Sequence, residues 1–224
     1  MAARRSYGSY NDGCASAHAL DLIGERWAFI VVRELLLGPK RFLDLQRDIP
    51  GIGPAVLTHR LQDLEETGVV VRTPLPAPAR VMAYDLTEWG RGLEAVNTAL
   101  SIWAAQSPCL PIEADMGPDT LVLAMRAHAR RLPEGTPESR VALNLSDSRD
   151  SEREPVEYLA TMTTTGSTVT KTTGVVGAVD AVVNSTTRAW KAVIIGGASL
   201  ESEDDIAITG HQHAVQMLVD ATKL

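Results

Sequence analysis

The chain has few cysteines, few aromatic residues and no long apolar run, and each shortage excludes a class of protein. Two cysteines among 224 residues are too few for a disulfide scaffold and are typical of a reducing cytoplasm. Aromatic residues make up 4% of the chain, which makes stacking on single-stranded bases a poor expectation. No apolar run approaches the roughly 20 residues of a membrane span, and no apolar segment follows the charged N-terminus as in a signal peptide. We therefore expect a cytoplasmic protein that does not associate with membranes.

Charge is distributed unevenly along the chain. The formal net charge is -7, and nucleic-acid-binding proteins are more often basic. However, residues 1–106 carry 11 lysines and arginines against 12 aspartates and glutamates, whereas residues 107–224 carry 10 against 16. The acidic excess lies in the second half, so the first half can still present a basic face to DNA.

Prolines and glycines cluster between positions 108 and 118, where they interrupt regular structure. Apolar residues recur mainly at helical spacing before this cluster, and Ser- and Thr-rich segments with strand-like alternation follow it. We predict two domains, residues 1–107 and 118–224, joined by a linker of residues 108–117.

The first half predicts the element order of a winged helix-turn-helix domain. Gly38 and Pro39 end the second helix, and Pro54 suits the first position of the fourth, where its missing N–H is harmless. The predicted elements are helices at residues 14–23, 25–37, 41–48 and 54–67, strands at 69–73 and 81–86, and a last helix at 87–106.

The helix predicted at residues 54–67 has the pattern of a DNA-reading helix. Val56 or Leu57, together with Leu61 and Leu64, forms its buried stripe. Polar side chains on the other side are then open to solvent. A helix fits the major groove of duplex DNA, and a wing and helix ends contact phosphates. The element order alone also fits a domain that binds protein.

Several spaced motifs in residues 10–105 resemble the HxlR family of bacterial winged-helix transcriptional regulators. They are Asp12-Gly-Cys14, Leu22-Ile-Gly-Glu-Arg-Trp27, Arg33-Glu-Leu-Leu-Leu-Gly-Pro39, Arg41-Phe-Leu-Asp-Leu45, Ile49-Pro-Gly-Ile52, Leu57-Thr58, Arg60-Leu61, Leu64-Glu65, Gly68 and Tyr84-Asp-Leu-Thr-Glu-Trp-Gly90. The resemblance implies a homodimer on a palindromic operator, with the N-terminal segment and the last helix of the domain at the dimer interface.

The resemblance also suggests which residues contact double-stranded DNA. We expect Thr58, His59 and Arg60 to face the bases behind a helix start of Pro54 and Ala55, with Arg41 and Arg80 near phosphates. Family members usually carry Ser at position 53 and polar or basic residues at 54 and 55. Because Ser is the better N-cap, this chain offers fewer hydrogen-bonding groups at the start of the helix.

Cys14 lies where regulators of this family often carry a sensing cysteine. A thiolate at a helix N-terminus has a lowered pKa and reacts faster with oxidants and electrophiles. The alternative is a small apolar side chain buried at the dimer interface. A thiol-switched regulator is therefore one alternative to control by a ligand.

The second half predicts a helix at residues 118–132, strands at 140–146, 156–162, 166–173 and 206–210, and helices at 177–183, 185–195 and 211–221. This order, with the segments Asp180-x-Val-Val-Asn-Ser-Thr-Thr-x-x-Trp190 and Ile206-x-Ile-Thr-Gly210, resembles the sterol carrier protein-like fold over residues 118–222. The resemblance implies a five-stranded sheet and helices around an apolar tunnel, and hence a small hydrophobic ligand. The candidate pocket residues are Trp190, Val193, Ile194, Leu200, Met217 and Leu218, and plain core packing is the favoured alternative for each of them taken singly.

Residue patterns typical of catalysis or of a metal site are weak in this sequence. His211 and His213 are two residues apart, and such positions do not share a helix face. Ser185 lacks the G-x-S-x-G setting of a hydrolase nucleophile. We predict neither an enzyme nor a cofactor nor a metal site.

The predicted fold class is α+β, with an N-terminal winged helix-turn-helix domain and a C-terminal α/β domain. The predicted function is a transcriptional regulator controlled by a small hydrophobic effector. Besides the thiol switch, the alternative is a lipid carrier or accessory protein whose winged helix binds protein.

Overall fold

The chain folds into two compact units, Met1–Ala95 and Val96–Leu224, whose boundary lies inside the helix Leu93–Ala105. A computed structural model describes residues 9–75, 81–172, 174 and 177–224.

The first unit has the predicted winged helix-turn-helix order. Its last helix is divided at Gly92, so that a short α5 precedes α6, which continues into the second unit. Strands β1 and β2 pair antiparallel. The elements are α1 (Ala15–Ile23), α2 (Ala28–Leu35), α3 (Phe42–Asp48), α4 (Pro54–Glu66), β1 (Val70–Pro74), β2 (Met82–Leu86), α5 (Glu88–Arg91) and α6 (Leu93–Ala105).

The core of this unit forms where α2, α3 and α4 turn their apolar stripes inward. Leu35 of α2 and Leu45 of α3 are fully buried, and so is every third or fourth residue along α4 from Leu57. This spacing matches the helical period of 3.6 residues. Burial of such a stripe is worth about 1.5–3 kcal/mol per large aliphatic side chain, so the inner face of α4 is committed to the core.

The start of α5 is attached to the corner between α4 and β1. Thr87 caps α5, since its hydroxyl accepts a hydrogen bond from the Gly90 N–H at 3.0 Å and donates one to the Gly68 carbonyl at 2.8 Å. Gly90 is buried, and a methyl group added there would overlap the carbonyl oxygen of Val69. The close approach of α5 to β1 therefore requires glycine at position 90.

The second unit contains a mixed five-stranded sheet with the order β5-β4-β3-β6-β7. Strand β3 lies at its centre, antiparallel to β4 and parallel to β6. A predicted sheet of five strands is thereby confirmed. The strands are β3 (Ser139–Ser146), β4 (Val156–Met162), β5 (Ser167–Lys171), β6 (Ala181–Thr186) and β7 (Ile206–Gly210).

The helix predicted at residues 177–183 is wrong, because Ala181–Thr186 forms strand β6. This strand lies between two neighbours, parallel to β3 and antiparallel to β7. Ala181 and Val183 point into the core. Short apolar runs fit a buried strand or a buried helix equally well, and the β-branched residues here favour the strand.

Helices pack on this sheet and complete the core of the second unit. They are α7 (Pro118–Ala127), α8 (Thr187–Ile194) and α9 (Gln212–Thr222), and a short 3-10 turn follows at Leu200–Ser202. Thr186 caps α8 by accepting a hydrogen bond from the Ala189 N–H at 3.2 Å. Trp190 is fully buried and its indole N–H points to the sulfur of Met125 at 3.4 Å.

Candidate nucleic-acid interface

Helix α4 presents the exposed surface on which the candidate DNA contacts lie. Gly53 precedes the helix in an extended conformation and Pro54 occupies its first turn. The Thr58 hydroxyl donates to the Pro54 carbonyl at 2.9 Å, within the helix. Ala55, Thr58 and His59 are exposed. The local structure thus leaves the N-terminal half of α4 open on the side away from the core.

The structure adds the apolar side chain of Val56 to this surface. The sequence alone left open whether Val56 or Leu57 is the buried residue. Leu57 enters the core, whereas Val56 is 40% exposed. Ala55 and Val56 therefore form an apolar start to the exposed face of α4. Exposed apolar groups on a groove-reading helix suit the methyl group of thymine. The burial of Leu57 identifies Val56 as the exposed residue of the two, since adjacent residues cannot share a helix face.

Asp63 holds both basic side chains of α4. Its Oδ2 atom lies 2.9 Å from His59 Nδ1 and 3.0 Å from Arg60 Nη1. The Arg60 side chain is only 20% exposed, whereas that of His59 is 63% exposed. Of the predicted base contacts, Arg60 is thus the most retracted and is held beside a carboxylate of its own helix.

Arg41 occupies the N-cap position of α3 and is held by a carboxylate of the same helix. It donates to Asp44 through Nε at 2.7 Å and through Nη2 at 3.1 Å. Arg47 also donates to this carboxylate, at 3.2 Å. The Arg41 side chain remains 52% exposed. It can therefore exchange its bonds to Asp44 for a phosphate without crossing the core.

The wing strands carry an arginine that sequence reasoning did not single out. Arg72 on β1 lies directly opposite Tyr84 on β2. It donates to the Tyr84 hydroxyl at 2.8 Å and pairs with Glu65 of α4, with Nε and Oε1 3.2 Å apart. Arg80, the residue predicted to approach phosphate, lies outside the described residues.

The buried Lys40 connects α2, α3 and β2. The ammonium group of Lys40 contacts Glu34 Oε2 of α2 at 2.7 Å and Asp48 Oδ2 of α3 at 2.8 Å. All three side chains are buried, so their charges require partners; Glu34 also pairs with Arg33 at 2.7 Å, and Asp48 with Arg47 at 3.2 Å. The backbone of Lys40 also exchanges two hydrogen bonds with Tyr84 of β2, at 3.0 and 2.8 Å.

Cys14 occupies the N-cap position of α1 and is exposed. Hydrogen bonds from the backbone N–H of Ala17, and then of Ser16, lower the pKa of its thiol. A helix N-terminus stabilises the negative charge of a thiolate. The thiol is thus accessible, and its pKa is shifted in the direction that favours the thiolate.

An apolar pocket of about 310 Å³ lies beside α1. It is formed where α1 approaches the start of β1 and the junction of α5 with α6. The lining residues include Leu22, Ile23, Val69, Trp89 and Leu93.

The candidate ligand residues of the second unit lie in or next to its core. Five of them, Trp190, Val193, Ile194, Leu200 and Leu218, are buried, and Met217 is half-buried. They come from α8, α9 and the turn between α8 and β7. Their positions agree with ordinary core packing.

A polar cleft of about 330 Å³ runs along α8. Arg188 donates to both oxygens of Asp115, at 3.1 and 2.7 Å. Lys191 donates to the carbonyls of Ile112 and Ala114. These contacts hold residues 112–115 against α8. The cleft is lined by charged groups, in contrast to the apolar interior beside it.

A helix with one face buried and the other open, followed by a two-stranded wing, defines a winged helix-turn-helix protein. The chain matches the HxlR-like helix-turn-helix family over residues 22–108. It is 39% identical over 88 residues to the HTH-type transcriptional regulator YodB of Bacillus subtilis, covering 39% of this chain and 79% of YodB. YvaP, an uncharacterized HTH-type transcriptional regulator of the same organism, is 34% identical over 88 residues, covering 39% of this chain and 82% of YvaP.

A solved structure of quinone-bound YodB from B. subtilis is 36% identical to this chain, with a TM-score of 0.36, and covers 41% of this chain and 97% of that one. The chain belongs to the HxlR-like helix-turn-helix family and is a DNA-binding transcriptional regulator. The family match ends at residue 108, so residues 109–224 lie outside it. Within the described residues, no helix has the length and apolar character needed to cross a membrane.

Proposed function

We propose that the protein acts as a homodimer that places the two copies of α4 in successive major grooves of a palindromic operator. The observation that carries this proposal is the division of α4 into a buried stripe and an open face. A helix with an open face fits the major groove, and a twofold dimer matches a site with twofold symmetry.

Each candidate residue then has a role that suits its position. Thr58 and His59 read base edges from the exposed face of α4, and Pro54 and Ala55 bring the start of the helix close to the groove. Arg60 contributes once it exchanges Asp63 for DNA. Arg41 and Arg80 contact phosphates, which position the protein without reading sequence.

The dimer interface is proposed at α1 and α6. Helix α1 has no buried residue, and Leu20 on it is 53% exposed. Along α6, Val96, Leu100 and Trp103 are 41%, 45% and 75% exposed. Large apolar side chains left in water at helical spacing are typical of a surface that a partner covers. A second copy of the chain supplies such a cover.

For the second unit we propose a sterol carrier protein-like domain of residues 118–224, joined through a linker of residues 108–117, that binds a small hydrophobic effector. The five-stranded sheet and the apolar side chains of α8 and α9 support this assignment. Effector binding would shift the dimer between two spacings of its α4 helices, as a coupling free energy between two sites.

The test of DNA binding is a mobility-shift titration with the duplex upstream of the protein's own gene. We expect retardation at low salt that weakens as salt rises, because binding releases counterions from phosphates. Footprinting should give two protected half-sites about 10 base pairs apart, centre to centre. A purified dimer that fails to retard this duplex at low salt contradicts the proposal.

A thiol switch at Cys14 is the second candidate, favoured by the exposure and lowered pKa of this thiol. The relative YodB has been crystallised in a quinone-bound form. In thiol addition to a quinone, the thiolate attacks a ring carbon, an S–C bond forms and a ring C=C π bond breaks. The hydrogen of that carbon, as a proton, and one proton from water end on the two ring oxygens, which gives a hydroquinone thioether. We propose that this addition at α1 would release the operator.

The variant Cys14→Ser tests the switch, and Cys109→Ser is the matched control because Cys109 is also exposed. We expect quinone to release DNA from the wild type and from Cys109→Ser but not from Cys14→Ser. The pH at which alkylation of Cys14 by iodoacetamide is half-maximal should be lower than the corresponding pH for free cysteine. Release that is unchanged in Cys14→Ser would rule out the switch.

A further inference from the structure

Three elements of the first unit meet at Tyr84. On one side, the Arg72 guanidinium lies over the Tyr84 ring, 5.1 Å from its centroid, and donates to the Tyr84 hydroxyl at 2.8 Å. The same guanidinium reaches Glu65, with Nε and Oε1 3.2 Å apart. Arg72 therefore connects the wing to the last turn of α4.

The other side of Tyr84 connects to the opposite part of the unit. Its backbone exchanges two hydrogen bonds with Lys40, whose ammonium is buried between Glu34 and Asp48. Strand β2 is thus fixed on this side by backbone bonds to a segment that α2 and α3 hold in place. The wing is joined to α4 at the Gly68–Val69 corner by the Thr87 hydroxyl and by backbone bonds, and further along β1 by the contact between Arg72 and Glu65.

We propose that Glu65, Arg72 and Tyr84 form a clamp that sets the angle between the wing and α4, and that Arg72 is a positioning residue for DNA binding. The proposal rests on the DNA-binding role of α4 proposed above. Arg72 would otherwise be read as a phosphate contact, since it is a half-exposed arginine on the wing. In the clamp, the Arg72 guanidinium pairs with Glu65 and does not contact a phosphate.

Two physical features support the clamp. Glu65 lies in the last turn of α4, where the helix dipole disfavours a negative charge, and Arg72 compensates that charge. The guanidinium is planar, so it can stack on the Tyr84 ring and bond a carboxylate at once, with less lost freedom than a lysine. By contrast, the ion pairs of Asp63 among the described residues are with His59 and Arg60 of its own helix. The Glu65 contact crosses between two elements.

The variant Glu65→Gln gives a test in which the two interpretations predict opposite signs. Loss of a negative charge from α4 should by itself tighten binding to DNA. If Glu65 holds the wing, its neutralisation should instead weaken binding, by about threefold to tenfold. The matched control is Glu66→Gln, which removes the same charge from the adjacent exposed position and should tighten binding by about twofold or less.

Binding is measured by fluorescence anisotropy on the duplex upstream of the protein's own gene, at one fixed salt concentration. Weaker binding by Glu65→Gln, with a melting temperature within about 4 °C of the wild type, supports the clamp. Binding as tight as that of Glu66→Gln, or weakening that accompanies a larger loss of melting temperature, overturns it. A wild type that does not bind the duplex refutes the proposed function itself.

Two further variants separate a positioning residue from a phosphate contact. Arg72→Lys keeps the positive charge but loses the planar stack, so the clamp predicts weaker binding and a phosphate contact predicts nearly unchanged binding. In the double variant with Glu65→Gln and Arg72→Gln, affinity should match that of Arg72→Gln or exceed it by about twofold or less, because both changes open one contact and only the effect of the lost Glu65 charge remains. A further loss of affinity from Glu65→Gln in that background would contradict the clamp.

Discussion

Asp63→Asn should tighten DNA binding, because Asp63 competes with DNA for the basic side chains of α4. Its Oδ2 atom holds Arg60 Nη1 at 3.0 Å and His59 Nδ1 at 2.9 Å. All three residues lie on one helix, so the substitution leaves the relative positions of the elements unchanged. It frees one arginine and removes one negative charge from the surface proposed to face DNA.

The size of the effect follows from the exposure of these groups. Asp63 is 40% exposed and Arg60 is 20% exposed, and ion pairs near the surface are worth about 0.2–1 kcal/mol. A carboxylate and a phosphate about 10 Å apart in water repel by about 0.4 kcal/mol. Together these effects predict a gain of about threefold to tenfold in affinity. The helix loses about 0.3–0.5 kcal/mol of stability with its ion pair.

The assay is an anisotropy titration at several salt concentrations, with Glu66→Gln as the control for charge removal alone. If the freed Arg60 reaches a phosphate, the slope of log K against log salt should steepen by about 0.9, and Glu66→Gln should leave it unchanged. Weaker binding by Asp63→Asn would refute the reasoning, since it would mean that Asp63 orients Arg60 for DNA.

Three further predictions concern the exposed face of α4, the dimer and the buried ion pairs. If Val56 contacts a thymine methyl, replacing operator thymines with uracil should weaken wild-type binding by about fourfold, or about 0.8 kcal/mol per contact. The Val56→Ala variant should bind the thymine and uracil duplexes with the same affinity. If uracil weakens binding of Val56→Ala as much as it weakens binding of the wild type, the contact is excluded. Trp103→Glu should convert the dimer to a monomer in light scattering, and a persisting dimer would place the interface elsewhere. Lys40→Met should lower the unfolding free energy in urea by about 1.5–3 kcal/mol, because Glu34 and Asp48 lose their charge-assisted hydrogen bonds to Lys40 but keep Arg33 and Arg47 as partners; a loss below about 0.5 kcal/mol would contradict the importance of the lysine.

Local sequence pattern was enough to predict α4 and the wing. The apolar stripe of α4 repeats over thirteen residues, and a pattern of that length distinguishes helix from strand. Strand β6 was predicted wrongly, since its six residues are too few for the period to decide. Its strand character comes from β3 and β7 on either side, which no local pattern reveals.

The ion pairs escaped prediction for a similar reason. The local sequence around Lys40 is typical of an exposed lysine in a turn, and that around Arg72 is typical of a solvent-exposed arginine on a strand. Their partners are Glu34, Asp48 and Glu65, which come from three different helices. Only the packing of those helices brings the charges together, so these contacts are tertiary information.

The glycine at position 90 has a consequence for how this sequence can change during evolution. Because any side chain there would collide with the Val69 carbonyl, even alanine should push α5 away from the corner that follows α4. A mutational scan across residues 87–93 should therefore tolerate many substitutions at the exposed Trp89 and almost none one residue later. The steepest fall in fitness would then occur at a residue that has no side chain to lose.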